Sequence, residues 1–136
     1  MTVFICVDLR GGMMFNKRRQ SRDVRVIEDI IRASDGRVLY ISGYSEELFS
    51  GKRADVVCLQ NPLDMAPRDA CVFVENEHLG KYIDKIDKLV IYNWGEAYPF
   101  DFKLDIDPQS VGFKIKSRRE FVGNSHKKVT REDFIK

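Results

Sequence analysis

The feature that most restricts this fold is the stretch from residue 70 to residue 93. Two apolar runs, Ala70-Cys71-Val72-Phe73-Val74 and Lys88-Leu89-Val90-Ile91-Tyr92-Asn93, enclose a segment carrying Leu79, Tyr82, Ile83 and Ile86. Those four lie at i, i+3, i+4 and i+7, which predicts a helix over 77–86 packed on a sheet. Strand, helix, strand is a crossover unit, so its strands are parallel and its connection right-handed. A chain of 136 residues that is 43% hydrophobic can build one real core and is too short for two. A single domain spanning 1–136 is therefore expected.

The rest of the chain fits the same class. Residues 2–8 are apolar on both faces, as a central buried strand requires. Val24, Ile27, Ile30 and Ile31 form one stripe of a helix over 23–34, with Arg25, Glu28, Asp29 and Arg32 opposite. On that face Arg25 and Asp29 read as an i, i+4 surface pair. Asp35-Gly36 stops the helix. Strands are expected at 37–42 and 55–59, the latter read as a short buried strand with a sheet-edge position as the alternative, and a short helix opened by Ser45 between them. After Trp94-Gly95 the pattern becomes antiparallel β, at 102–106, 112–121 and 126–135, the last alternatively a short helix. The prediction is an α/β domain with a mostly parallel central sheet and antiparallel C-terminal strands.

The net charge of +2 announces no partner, but its distribution is uneven. Cations cluster at Arg10, Lys17, Arg18, Arg19, Arg22 and Arg25, and again at Lys114, Lys116, Arg118, Arg119, Lys127 and Lys128. The three cysteines, Cys6, Cys58 and Cys71, each stand in an apolar run and read as buried free thiols of a reducing compartment. No signal layout and no membrane-length apolar run is present, so a soluble cytoplasmic protein is expected.

The segment Gly11 to Asp23 holds the candidate site. Lys17, Arg18, Arg19 and Arg22 stand in a basic loop that ends at a helix N-terminus, a natural seat for an anion. Their bland alternative is a solvated loop. Asp23 opens the helix and would offset its dipole there. Tyr92, Asn93 and Trp94 end a parallel strand, where open α/β sheets bind ligands. Trp94 reads either as a ring covering the core or as a stacking surface. His126 beside Ser125 has no oriented acid or nucleophile elbow in the sequence and reads as a turn or strand residue.

The order of these elements resembles dihydrofolate reductase over nearly the whole chain. Val7-Asp8 with Gly12, Asn16 and then Asp23 before a helix resembles that family's first strand, active-site loop and acidic helix start. Asp87 to Tyr92, Tyr98-Pro99 with Asp101, and Glu120-Phe121 with Asn124-Ser125-His126 resemble its later strand, its Phe-Pro segment and its terminal hairpin. The resemblance implies a three-layer α/β/α architecture and makes Asp23 the candidate catalytic carboxylate. The run Phe15-Asn16-Lys17-Arg18-Arg19-Gln20-Ser21-Arg22-Asp23 is also similar to small uncharacterised bacterial proteins, some labelled ribonuclease Z. The His-x-His-x-Asp-His run of true ribonuclease Z is absent, and two histidines, His78 and His126, cannot assemble its two-metal chemistry. No metal is expected.

The departures from the reductase pattern are specific. Where that family has a Gly-Gly pair that lets the cofactor pyrophosphate reach a helix N-terminus, this chain has Glu75-Asn76, then Glu77. Carboxylates there would repel a pyrophosphate, and side chains block the close backbone approach of glycine. Gly43-Tyr44-Ser45-Glu46-Glu47 lacks the family's phosphate-binding cation, and Leu59-Gln60 replaces its Ser/Thr-Arg pair. The Leu-Pro-Trp core of the active-site loop is replaced by Lys17 to Ser21. NADPH is therefore disfavoured, and no cofactor is expected. The leading expectation is a repurposed reductase-fold protein, leaning away from enzymatic activity. It would bind a small anionic ligand, nucleotide or folate-like, through Asn16, Arg18, Arg19, Arg22, Asn93 and Trp94. The alternatives are a nucleic-acid or protein interaction module using the basic clusters, and an oxidoreductase with altered cofactor binding. The oligomeric state is not encoded legibly.

Overall fold

β1 (Thr2–Val7) runs through the middle of the molecule, as its two-faced apolar sequence requires. The computed structural model describes residues 1–136. From β1 the chain enters a hairpin, β2 (Gly12–Phe15) and β3 (Arg18–Arg19), and then α1 (Val24–Ala33). β4 (Leu39–Ile41), α2 (Glu46–Phe49), β5 (Val56–Cys58), α3 (Pro62–Met65) and β6 (Cys71–Phe73) follow. A 3-10 turn at Gly80–Lys85 leads to β7 (Lys88–Asn93), and the chain closes with β8 (Phe102–Lys103), β9 (Lys114–Phe121) and β10 (Val129–Ile135).

The main sheet has the order β5-β4-β6-β1-β7-β10-β9. Pairs from β5 to β7 are parallel, and β10 pairs antiparallel with both β7 and β9. The strands of the expected crossover, β6 and β7, are parallel and flank β1 rather than touch. Each face of the sheet is covered. On one, Val26, Ile27 and Ile30 of α1 pack with Phe4, Phe73, Tyr92 and Trp94. On the other, Val3 and Ile5 pack with Leu63, Leu79, Tyr82, Ile86 and Phe113. No helix is long and apolar enough to cross a membrane.

Five expectations need correction. Of the stripe expected on α1, Ile27 and Ile30 are buried, but Val24 is exposed, Ile31 is half-buried, and Val26 takes the core position instead. The helix over 77–86 contracts to the 3-10 turn: Gly80 weakens a helix interior, and Asp105 accepts from the Leu79 and Gly80 N–H groups at 2.8 and 2.9 Å and so fixes the start of the turn there. The strand expected at 102–106 is only β8, and it joins β2 and β3 in a separate small sheet. Cys58 is exposed, because β5 forms the sheet edge. Asp29 is no surface partner of Arg25. It is buried and accepts from Tyr92 Oη at 2.7 Å, Arg119 at 2.6 Å and Arg131 at 2.9 Å. Burial pushes its carboxyl up, but the Tyr92 hydroxyl and the two guanidiniums outweigh that and hold it low.

Candidate functional site

The basic segment is a hairpin rather than a loop. Asn16 (φ 51°) and Lys17 (φ 60°) form a two-residue turn with both residues left-handed, the type I′ geometry that matches strand twist. Asn at the first position favours that turn, and the alternation along β3 then sends Arg18 outward and Arg19 back over the sheet.

Arg19 is fully engaged. Its Nε and Nη2 donate to Glu75 at 2.8 and 3.0 Å, a bidentate pair, and Nη1 donates to Glu47. The guanidinium also lies 4.6 Å from the Tyr44 ring centre and donates to the Tyr44 carbonyl at 3.0 Å. Glu75 is buried and takes a further bond from Ser45 Oγ at 2.6 Å. The side chains of Arg19, Glu75 and Ser45 thus tie the hairpin to β6 and to the segment after β4. Arg18, Arg22 and Lys17 carry no ion pair.

Asp23 is the N-cap of α1 and also the hub of a longer-range cluster. Its Oδ1 accepts from the N–H groups of Arg25 and Asn124, both at 2.9 Å. Its Oδ2 accepts from Ser125 N–H and from His126 Nδ1, both at 2.8 Å. Burial raises the Asp23 carboxyl, but the Asn124, His126, Ser125 and Arg25 donors outweigh it and hold the group far below the usual carboxylate range. An ionised Asp23 can only accept, so Nδ1 of His126 carries a proton. In the neutral ring Nε2 is then an acceptor, and Ser21 Oγ stands 2.7 Å from it. Trp94 stacks on the imidazole with ring centres 4.6 Å apart. Its ring both closes the core and holds His126.

Of the expected site residues, Arg19, Arg22, Asp23 and Trp94 do come together. They line one small cavity of about 20 Å³ with Gln20, Ser21, Cys6, Ile27, Phe73 and Glu75. Asn16 and Arg18 line a shallower outer depression of about 480 Å³ with Phe15, Tyr98 and Pro99. Arg19 and Gln20 belong to both. Asn93 lies elsewhere. Adjacent strand residues point to opposite faces, so it parts from Trp94. Its Nδ2 donates to the Asp8 carbonyl at 3.2 Å and its Oδ1 accepts from Gly95 at 2.9 Å, which makes it a turn clamp. No group of His, Cys, Asp and Glu side chains is arranged to hold a metal ion.

Sequence reasoning missed Ser21, His126 and the Arg19–Glu75 pair as parts of the site. Ser21 and His126 are 105 residues apart and Arg19 and Glu75 are 56 apart, so no local pattern joins them. The only signal was that a serine and a carboxylate flank Arg22 while a histidine stands at the terminal hairpin.

No family model matches the chain, and no curated protein is similar to it in sequence. Its structure is similar to many solved chains. One is a dihydrofolate reductase from Enterococcus faecalis, complexed with NADP(H) and RAB-propyl. It matches with a TM-score of 0.68 over 98% of this chain and 94% of that one, at 9% identity. The chain has a dihydrofolate reductase-like fold.

Proposed function

We propose that this is a reductase-fold protein that binds a small anionic ligand at the β2–β3 hairpin and is not an NADPH-dependent reductase. The observation that carries this reading is the buried Arg19–Glu75 pair. By the resemblance, residues 75–76 stand where a dinucleotide pyrophosphate would approach the backbone. Glu75 there brings a buried negative charge whose oxygens are already filled by Arg19 and Ser45. A pyrophosphate would have to displace that pair, so the residues present do not fit the cofactor. Because Arg19 is neutralised by Glu75 and Glu47, the anion falls to Arg18 and Arg22, with Asn16 and Trp94 at the margins of their two hollows. Both guanidiniums can make bidentate bonds to a carboxylate or phosphate.

Thermal denaturation with NADPH, folate, mononucleotides and pyrophosphate tests this, because a ligand of the native state raises its stability with concentration over Kd. A mononucleotide or folate-like acid is expected to raise Tm in wild type and not in Arg18→Ala/Arg22→Ala. A strong shift by NADPH overturns the reading. A salt-sensitive shift by a short RNA alone would move the function to the second basic cluster, where Lys114, Lys116 and Arg118 are exposed along the edge strand β9.

A further inference from the structure

Ser21, His126 and Asp23 form a hydrogen-bonded line that the ligand reading does not use. Ser21 Oγ meets Nε2 at 2.7 Å, and Nδ1 meets Asp23 Oδ2 at 2.8 Å. The order hydroxyl, imidazole, buried carboxylate is the one that nucleophilic acyl transfer requires, and it is recognised by geometry and not by sequence position. Each member is held. Asp23 is fixed by three backbone N–H groups, His126 stacks on Trp94 while its Nδ1 edge bonds Asp23, and Ser21 lies half-buried on the step between β3 and α1. The Ser21 and Arg22 N–H groups donate to no backbone carbonyl in the fold, which leaves both free to bond a ligand oxygen. Gln20 Oε1, beside the same cavity, is the one buried side-chain polar atom without a partner, a place where a bound group or water completes the bonding.

We infer that Ser21 is a nucleophile toward small acetyl-type esters, with His126 as its general base and Asp23 as the residue that positions the imidazole. As Oγ bonds to the ester carbonyl carbon, its proton passes to Nε2 and the carbonyl π pair moves to oxygen. Collapse of that tetrahedral species breaks the bond to the alcohol oxygen, which takes the proton from Nε2. Water then attacks the Ser21 ester, gives a proton to Nε2, and Ser21 leaves with that proton restored. The net reaction is ester plus water to acid plus alcohol. The enclosed part of the cavity that Ser21 lines is about 20 Å³, room for about one methyl group, which favours acetyl over longer acyl groups. The inference shares Arg22 and Trp94 with the anion site but not its outer hollow at Asn16 and Arg18, so Arg18→Ala separates the two.

The test uses the full chain with p-nitrophenyl acetate, p-nitrophenyl butyrate and an alkyl fluorophosphonate. Mass spectrometry of the wild-type protein is expected to find the phosphonyl group on Ser21, with acetate cleaved faster than butyrate. Ser21→Ala removes one hydroxyl; with its fold checked by Tm, it should lose the label and about 100-fold or more of the turnover. Ser117→Ala, on exposed β9, should change neither. No label on wild type, a label on another residue, or wild-type turnover in Ser21→Ala would each overturn the assignment.

Discussion

His126 Nδ1 stands 2.8 Å from Asp23 Oδ2, although 103 residues separate them and both side chains are buried. Through this bond the start of α1 is locked to the turn that precedes β10. Asp23 is held low because the Asn124, His126, Ser125 and Arg25 donors outweigh the burial that would raise it. Its folded value lies below the ordinary carboxylate value of about 3.9. The stabilisation is therefore complete above that pH and is lost as the pH falls through the folded value. Urea unfolding followed from about pH 6 down to about pH 2 should show wild type losing stability more steeply than Asp23→Asn. At neutral pH Asp23→Asn should itself cost about 2 kcal/mol, because an amide meets donors where a carboxylate accepted. Parallel acid profiles for the two proteins would show that Asp23 is not the group responsible.

Gly123 sits against the same carboxylate. A Cβ there would lie 2.4 Å from Asp23 Oδ2 and 3.1 Å from the His126 carbonyl oxygen. Neither can retreat without breaking the cluster. Gly123→Ala should lower stability by about 2 kcal/mol and shift the His126 ring resonances in NMR. Gly43→Ala is the contrast, since nothing lies within 4 Å of its added Cβ and its φ is ordinary. It should stay within about 0.5 kcal/mol of wild type.

Lys17 occupies the second left-handed position of the hairpin turn at φ 60°. Glycine takes that conformation without the steric cost of a Cβ, and Asn-Gly is the preferred pair for this turn. Lys17→Gly should therefore raise stability by about 1 kcal/mol by thermal denaturation, even though it removes a surface cation. A loss of stability would mean that the Lys17 side chain makes a contribution beyond its backbone.

The Arg19–Glu75 pair should behave as a coupled unit. Arg19→Met leaves Glu75 buried with Ser45 as its remaining partner, and Glu75→Met leaves Arg19 with Glu47. Each single change should cost about 3 kcal/mol, whereas the double change should be far milder, because neither charge is then buried alone. A double-mutant cycle in urea measures the difference as an interaction energy. Strict additivity would show that the two side chains act independently.

The fold was readable because it rests on periodicity. The two-faced apolar runs at β1, β6 and β7 and, of the stripe expected on α1, Ile27 and Ile30 carry their burial in their spacing, and the structure buries them. What misled was competition from groups far away in sequence. Asp105 holds the Leu79 and Gly80 N–H groups, so the turn starts at Gly80 rather than at 77, and Tyr92, Arg119 and Arg131 drew Asp29 inside. The hairpin at Asn16-Lys17 hid because its second turn residue is not glycine.

The site divides along the same line. The sequence by itself determined that cations, a serine and a carboxylate crowd the start of α1, because those are neighbours on the chain. Only the tertiary structure decided what they do. It withdrew Arg19 into a pair with Glu75, turned Asn93 away from Trp94, and carried His126 from the terminal hairpin to stand between Ser21 and Asp23. Hydrogen bonds of that kind depend on distances of a few tenths of an ångström between elements that only the packed sheet brings together.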